Sequence, residues 1–178
     1  PVKALNAIRI SGTEVLPLVE GGKGVAITSG LASGAWAAAG GIGTFSGVNA
    51  DSYDADGTII RQIYHAKTRR ERHEELIEYA ISGGVTQAKI AHETRKGQGL
   101  LNVNVLWEMG GAERVLAGIL EGAKGLINGV TCGAGMPYRL AELAAKYQVD
   151  YYPIISSARA FRALWKRAYH KFADRLGA

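Results

Sequence analysis

Residues 16–49 constrain the fold more than any other stretch, because strand, glycine loop, helix and second strand follow within about 34 residues, near the minimum for a βαβ unit. Leu16-Pro17-Leu18-Val19 is a short apolar run of the kind a parallel strand buries on both faces. Gly21, Gly22 and Gly24 follow it; without Cβ atoms they let the backbone turn sharply and approach a ligand closely. Thr28 or Ser29 supplies a helix cap, and Leu31, Ala35, Trp36 and Ala39 keep helical spacing. Gly40 and Gly41 end that helix, and residues 42–45 open a second strand.

At 178 residues, 47% hydrophobic and 21% charged, the chain has the make-up of one globular domain with a sizeable core. Its 24 glycines sit at the ends of apolar runs, as βα-loops require, and not in a low-complexity tract. The formal charge of +5 comes largely from the last twenty residues, where Arg159, Arg162, Lys166, Arg167, Lys171 and Arg175 face only Asp174. On a helix these form a solvated outer face, and no aromatic-basic interleaving marks a stacking platform, so nucleic acid is not expected. The lone Cys132 excludes an intrachain disulfide and fits a reducing compartment. No apolar run reaches the length of a membrane span and no signal peptide stands at the start, which makes cytoplasm the expected location. The chain begins at Pro1 without a methionine, so upstream residues removed in processing are compatible with it.

Residues 8–15 read as a hairpin, Ile-Arg-Ile, Ser11-Gly12, Thr-Glu-Val, able to plug the N-terminal end of a barrel. The polar stretch 49–57 carries three aspartates, but a calcium loop built on Ser52, Asp54, Asp56 and Gly57 needs Glu at position 63, where Ile63 stands. It reads as a loop. Residues 58–82 are expected to form a long helix with Ile59, Ile63, Leu76, Ile77, Ala80 and Ile81 as its apolar stripe. Gly83-Gly84 should break it, and helix resumes over 86–96 behind Thr86. Further strands are expected at 100–107, 126–132 and 150–156. Helices are expected at 112–122 and 138–147, and from Ser157 to about Leu176.

Strands thus start near residues 16, 41, 100, 126 and 150, and repeating βα units mean an α/β fold with a parallel sheet. No G-x-G-x-x-G turn follows a strand, which weighs against a dinucleotide-binding domain. Small residues at every strand end suit a (β/α)8 TIM-type barrel whose C-terminal rim holds a flat ligand. Such a barrel takes eight units and about 250 residues, and five units are visible here. Because an open five-strand sheet exposes two edges, residues 1–178 are expected to be the N-terminal portion of one barrel domain, with a helical insertion at about 58–98.

Leu16-Pro17-Leu18-Val19-Glu20-Gly21-Gly22, the helix running into Ala-Ala-Ala-Gly-Gly-Ile-Gly-Thr-Phe, and Asn102-Val103-Asn104-Val105 together resemble the opening of the nitronate monooxygenase (2-nitropropane dioxygenase) family. The resemblance spans about residues 14–165. It implies an FMN-binding TIM barrel that oxidises a small acidic-carbon substrate, such as an alkyl nitronate, with dioxygen. Carried over position by position, it puts Gly21 and Gly22 against the flavin ring and Asn104 on the ring's polar edge. Thr131, Cys132 and Gly133 fall at the mouth of the fourth strand. Cys132 reads as a packed small residue in preference to a redox thiol. Read from the residues alone, Asn104 is equally a satisfied polar group of the interior.

The chain also departs from that family. Glu20 stands where a neutral residue such as Gln is usual, and Ile154 where relatives often carry a lysine. Lys23 is the candidate to replace that positive charge. The family's catalytic histidine follows a sixth strand, and no catalytic residue is assigned here. His65, His73, His92 and His170 read as surface helix residues, and neither a nucleophilic triad nor a metal site is indicated. The expected partners are a small-molecule substrate and dioxygen, with a homo-oligomer allowed and no membrane. Two rival readings remain: a flavin-free barrel isomerase or aldolase acting on a phosphorylated metabolite, and a non-catalytic binding or scaffold module.

Overall fold

The computed structural model describes residues 5–173; the expected helix end at Leu176, with Asp174 and Arg175, lies outside them. An antiparallel hairpin, β1 (Ile8–Ile10) and β2 (Thr13–Val15), pairs Ile8 with Val15 and Ile10 with Thr13. Ser11 and Gly12 form its two-residue turn with φ of 45° and 83°, the positive pair that matches the twist of the flanking strands. Helix α1 (Gly30–Ala38) leads to β3 (Ile42–Ser46), and α2 (Arg69–Arg95) to β4 (Leu100–Leu106). Then come α3 (Ala112–Gly122), β5 (Gly129–Gly133), α4 (Leu140–Tyr147) and β6 (Asp150–Pro153). The last helical run is α5 (Ala158–Leu164), a π-helical stretch (Trp165–Tyr169) and α6 (His170–Ala173).

Strands β3 to β6 form one parallel sheet in sequential order, so each βα unit lays its strand beside the one before. Side chains alternate along each strand and divide the sheet into two unlike faces. Phe45, Leu101, Val103, Val105, Val130 and Cys132 join Ile77, Leu116, Ile119, Leu140 and Leu164 in the main core, so the helices cover that face. The opposite face carries Thr44, Ser46, Asn102, Asn104, Thr131 and Tyr152, register partners in adjacent strands. At its amino-terminal end Ile42 and Leu100 pack with Val15 and Ile10, so the hairpin covers the starts of β3 and β4, and a cavity of about 730 Å³ lies between its turn, β6 and the last helical run. The Ser11 hydroxyl reaches across and donates to the Asp150 carboxylate at 2.6 Å.

Four expectations need correction. Residues 16–19 are not a doubly buried strand: a single parallel bridge, Val19 to Ile42, ties them to β3, and Leu18 and Val19 are exposed. On α1 the stripe through Leu31 and Trp36 faces outward (64% and 41% exposed), and the buried stripe is Gly30, Ser33, Gly34 and Ala37. Residues 58–67 are irregular, with Ile59 and Ile63 exposed, and the helix begins at a Thr68–Glu71 capping box. Gly83 and Gly84 do not break it. Both are buried within α2, where a Cβ on Gly83 would overlap the Ala50 carbonyl and one on Gly84 the Ile119 side chain.

These glycines and small residues let backbone approach backbone. Gly30 lies against the Gln87 carbonyl and Gly34 against Ala91 and Thr94, bringing α1 and α2 into contact. The Gln87 side chain joins three segments: its Oε1 accepts from Gly30 N–H and its amide donates to the Asp51 carbonyl, both at 2.6 Å. Within the acidic loop, Asp54 Oδ1 accepts from the N–H groups of Asp56 and Thr58, a local turn closed by the Tyr53–Ile59 bridge. Among the described residues no helix is long and apolar enough to cross a membrane.

Candidate functional site

Toward the carboxyl ends of β3 and β4 the polar face is covered by the glycine loop that follows residue 20. Three N–H groups of β3 point toward the preceding segment; two find backbone carbonyls and the middle one a carboxylate. Ile42 donates to the Leu18 carbonyl at 2.9 Å and Ser46 to the Thr28 carbonyl at 2.9 Å. Between them Thr44 donates to Glu20 Oε2, also at 2.9 Å. The loop of residues 21–27 is therefore an excursion that leaves the β3 edge after Glu20 and rejoins it at Thr28. Thr28, buried, ties the loop internally: its Oγ1 accepts from Lys23 N–H at 3.1 Å and its N–H donates to the Lys23 carbonyl at 3.2 Å. Ser29 is the residue that caps α1, accepting from Ala32 N–H at 3.2 Å.

Within the excursion the two leading glycines have unlike surroundings. A Cβ on Gly22 would overlap Asn104 and come within 2.9 Å of the Thr44 methyl, so this loop rests directly on the polar face. Gly21 is exposed, and a Cβ there would meet nothing within 4 Å. The protein's own packing thus demands glycine at 22 and not at 21. Asn104 is 4% exposed, and its side-chain amide has no hydrogen bond among the described residues. Thr44 is fully buried and its Oγ1 is without a partner. A buried polar group without a partner is costly, and the Thr44 hydroxyl beneath the glycine loop is one.

The residues singled out by sequence are partly brought together. Gly22 and Asn104 touch, and Thr131 is the register partner of Asn104 on the same face. Gly133 lies two residues further along β5, where a Cβ would come within 3.3 Å of Ile154. Lys23 belongs to the loop, but its side chain is exposed and no ion pair holds it among the described residues. Cys132 lies apart. It points into the helix-covered core, fully buried, and burial pushes its thiol up to about 12. Iodoacetamide at pH 8 should therefore leave Cys132 unmodified in the folded protein and label it completely in denaturant, as intact mass would show.

Thr44, Ser46 and Asn102 were not singled out by sequence, although Thr44-Phe-Ser46 and Asn102-Val-Asn104 each repeat a polar residue at the strand period of two. At the far end, Tyr152 is raised to about 12 by burial and then by Asp150, whose carboxylate accepts its hydroxyl at 3.5 Å. None of the four histidines stands on the sheet. His65 lies in the irregular segment, His73 and His92 are half-buried on α2, and His170 Nδ1 sits 2.8 Å from the Trp165 carbonyl. Among the described residues no cluster of three or more His, Cys, Asp or Glu could hold a metal ion. No family model matches the chain, and no curated protein matches it.

Proposed function

We propose that this chain supplies the flavin-facing wall of an FMN-dependent oxidoreductase of the nitronate monooxygenase kind, built as part of a TIM-type barrel. The observation that carries the reading is the seating of Gly22 on Asn104 and Thr44, with Gly21 open beside it. A planar ring laid over Gly21 meets backbone, since no Cβ intervenes, and Asn104 offers both a donor and an acceptor to its polar edge. The unpartnered Thr44 hydroxyl and the open space at Gly21 fit such a group. When bound, FMN supplies the transfer of electrons from the substrate carbon to dioxygen. The share of this chain is to bind, orient and shield. The hairpin packs beneath the starts of β3 and β4, and the loop lies over Thr44 and Asn104 further along the polar face.

Sequential parallel strands, helices on one face and a polar opposite face support the barrel reading, since a barrel wall has this one-sided cover. The exposed apolar residues Leu31 and Trp36 on α1, and Phe161 and Trp165 on the last helical run, stand near the two borders of the sheet, where further barrel units would pack. The flavin-free rival gains little support. The described strands carry no lysine on the polar face, Glu20 is engaged by Thr44, and Asp150 is engaged by Ser11 at the opposite end.

Titration with FMN, followed by quenching of flavin fluorescence, tests the reading. Saturable binding is expected, and Gly21→Ala should weaken it about 10-fold, equivalent to about 1.4 kcal/mol. The melting temperature should stay within about 2 °C, because the added methyl touches nothing. Failure of the unaltered protein to bind FMN, or full affinity in the alanine variant, would overturn the assignment.

A further inference from the structure

Glu20 holds the middle rung of the β3 edge with its side chain, where a regular parallel ladder would use its backbone carbonyl. The Glu20 N–H donates to the Ile42 carbonyl at 2.9 Å, so the ladder is regular up to that point. Its next rung should run from Thr44 N–H to the Glu20 carbonyl. Glu20 Oε2 accepts that bond instead. The substitution ends the edge strand one rung early without leaving the buried Thr44 amide unpaired, and it frees the backbone from residue 20 onward to turn across the sheet. Gly22 lands on Asn104 and Thr44 only because the chain departs at this rung and returns at the next one, at Thr28.

Resting on the flavin reading above, we infer that Glu20 is a positioning residue for the cofactor loop: its carboxylate fixes where Gly21 and Gly22 lie over the polar face. An acceptor oxygen at this distance from the backbone is what the role requires, and the charge is incidental. The anionic side chain beside the site is thus accounted for as a ladder element whose oxygen is turned to a backbone amide. Glutamine, with the same reach and one carbonyl oxygen, can fill the rung; alanine cannot, and aspartate falls one methylene short.

The test compares Glu20→Gln, Glu20→Ala and Glu20→Asp in the full chain, with two readouts: FMN affinity by fluorescence quenching, and hydrogen exchange of the Thr44 amide by NMR. Glu20→Gln should keep FMN affinity within about 3-fold and leave Thr44 protected. Glu20→Ala and Glu20→Asp should each lose about 10-fold or more in affinity, a change of about 1.4 kcal/mol, and expose the Thr44 amide to faster exchange. Two results overturn the inference: an alanine variant that matches the original protein in both readouts, or a glutamine variant that falls as far as alanine, which would make the charge the operative feature. If the unaltered protein takes up no FMN, the flavin reading fails by itself. Thr44 exchange then decides the placement of the loop, rescue by glutamine supporting it and indifference to all three variants overturning it.

Discussion

Alanine at position 83 is expected to destabilise the protein by about 2–3 kcal/mol in urea denaturation, although the substitution lies within a helix. On propensity alone, glycine to alanine in a helix interior gains up to about 1 kcal/mol, so the expected sign is reversed. The cause is the Ala50 carbonyl, which occupies the space a Cβ would take. Either the segment around residue 50 must retreat from α2 or the helix must shift, and Gly84 beside Ile119 resists the second movement. A stabilised alanine variant would mean that α2 and residue 50 do not meet as described.

Replacing Gln87 with methionine, similar in length but unable to hydrogen-bond, should cost about 2–4 kcal/mol. The loss is large because both ends of the amide serve buried backbone: Gly30 N–H and the Asp51 carbonyl are left without their 2.6 Å partners. For a chain of this size each kcal/mol lowers the melting temperature by about 2–4 °C, so a drop of roughly 10 °C is expected by calorimetry. Glutamate at 87 retains an acceptor for Gly30 but turns a carboxylate oxygen onto the Asp51 carbonyl in a buried site, and should be no more stable than methionine. A methionine variant as stable as the original would remove Gln87 as the link between α1 and the loop after β3.

The order of strands and helices was legible because small residues punctuate it. Ser29 and Ser157 cap where expected, α3 spans the expected residues, and β3, β4 and β5 begin within a few residues of their expected starts. The misreadings share one physical source, contacts between residues far apart in the chain. Gly83-Gly84 has the composition of a helix break, and only the carbonyl of Ala50 distinguishes a break from a close approach. On α1, Leu31 with Trp36 and Gly30 with Ser33, Gly34 and Ala37 are both helical stripes. Hydrophobicity selects the first, but α2 comes close enough to need the second. The site was half legible. Glycine beside a strand end and asparagine on a strand are local features, and the structure brings Gly22 and Asn104 together. The role of Glu20 depends on a rung of the ladder and leaves no mark in composition.

The Ser11–Asp150 hydrogen bond spans 139 residues and bears on how the molecule is made. Ribosomal synthesis delivers residues at roughly 5–20 per second, so about 7–28 s separate the emergence of Ser11 from that of Asp150. Ile42 and Leu100 become available sooner, so Val15 can find its apolar seat while the hydroxyl still waits for its acceptor. The final clasp of the hairpin therefore reports that the last described strand has arrived. A nascent chain halted before residue 150 would carry the hairpin held on one side only, open to proteases along the other.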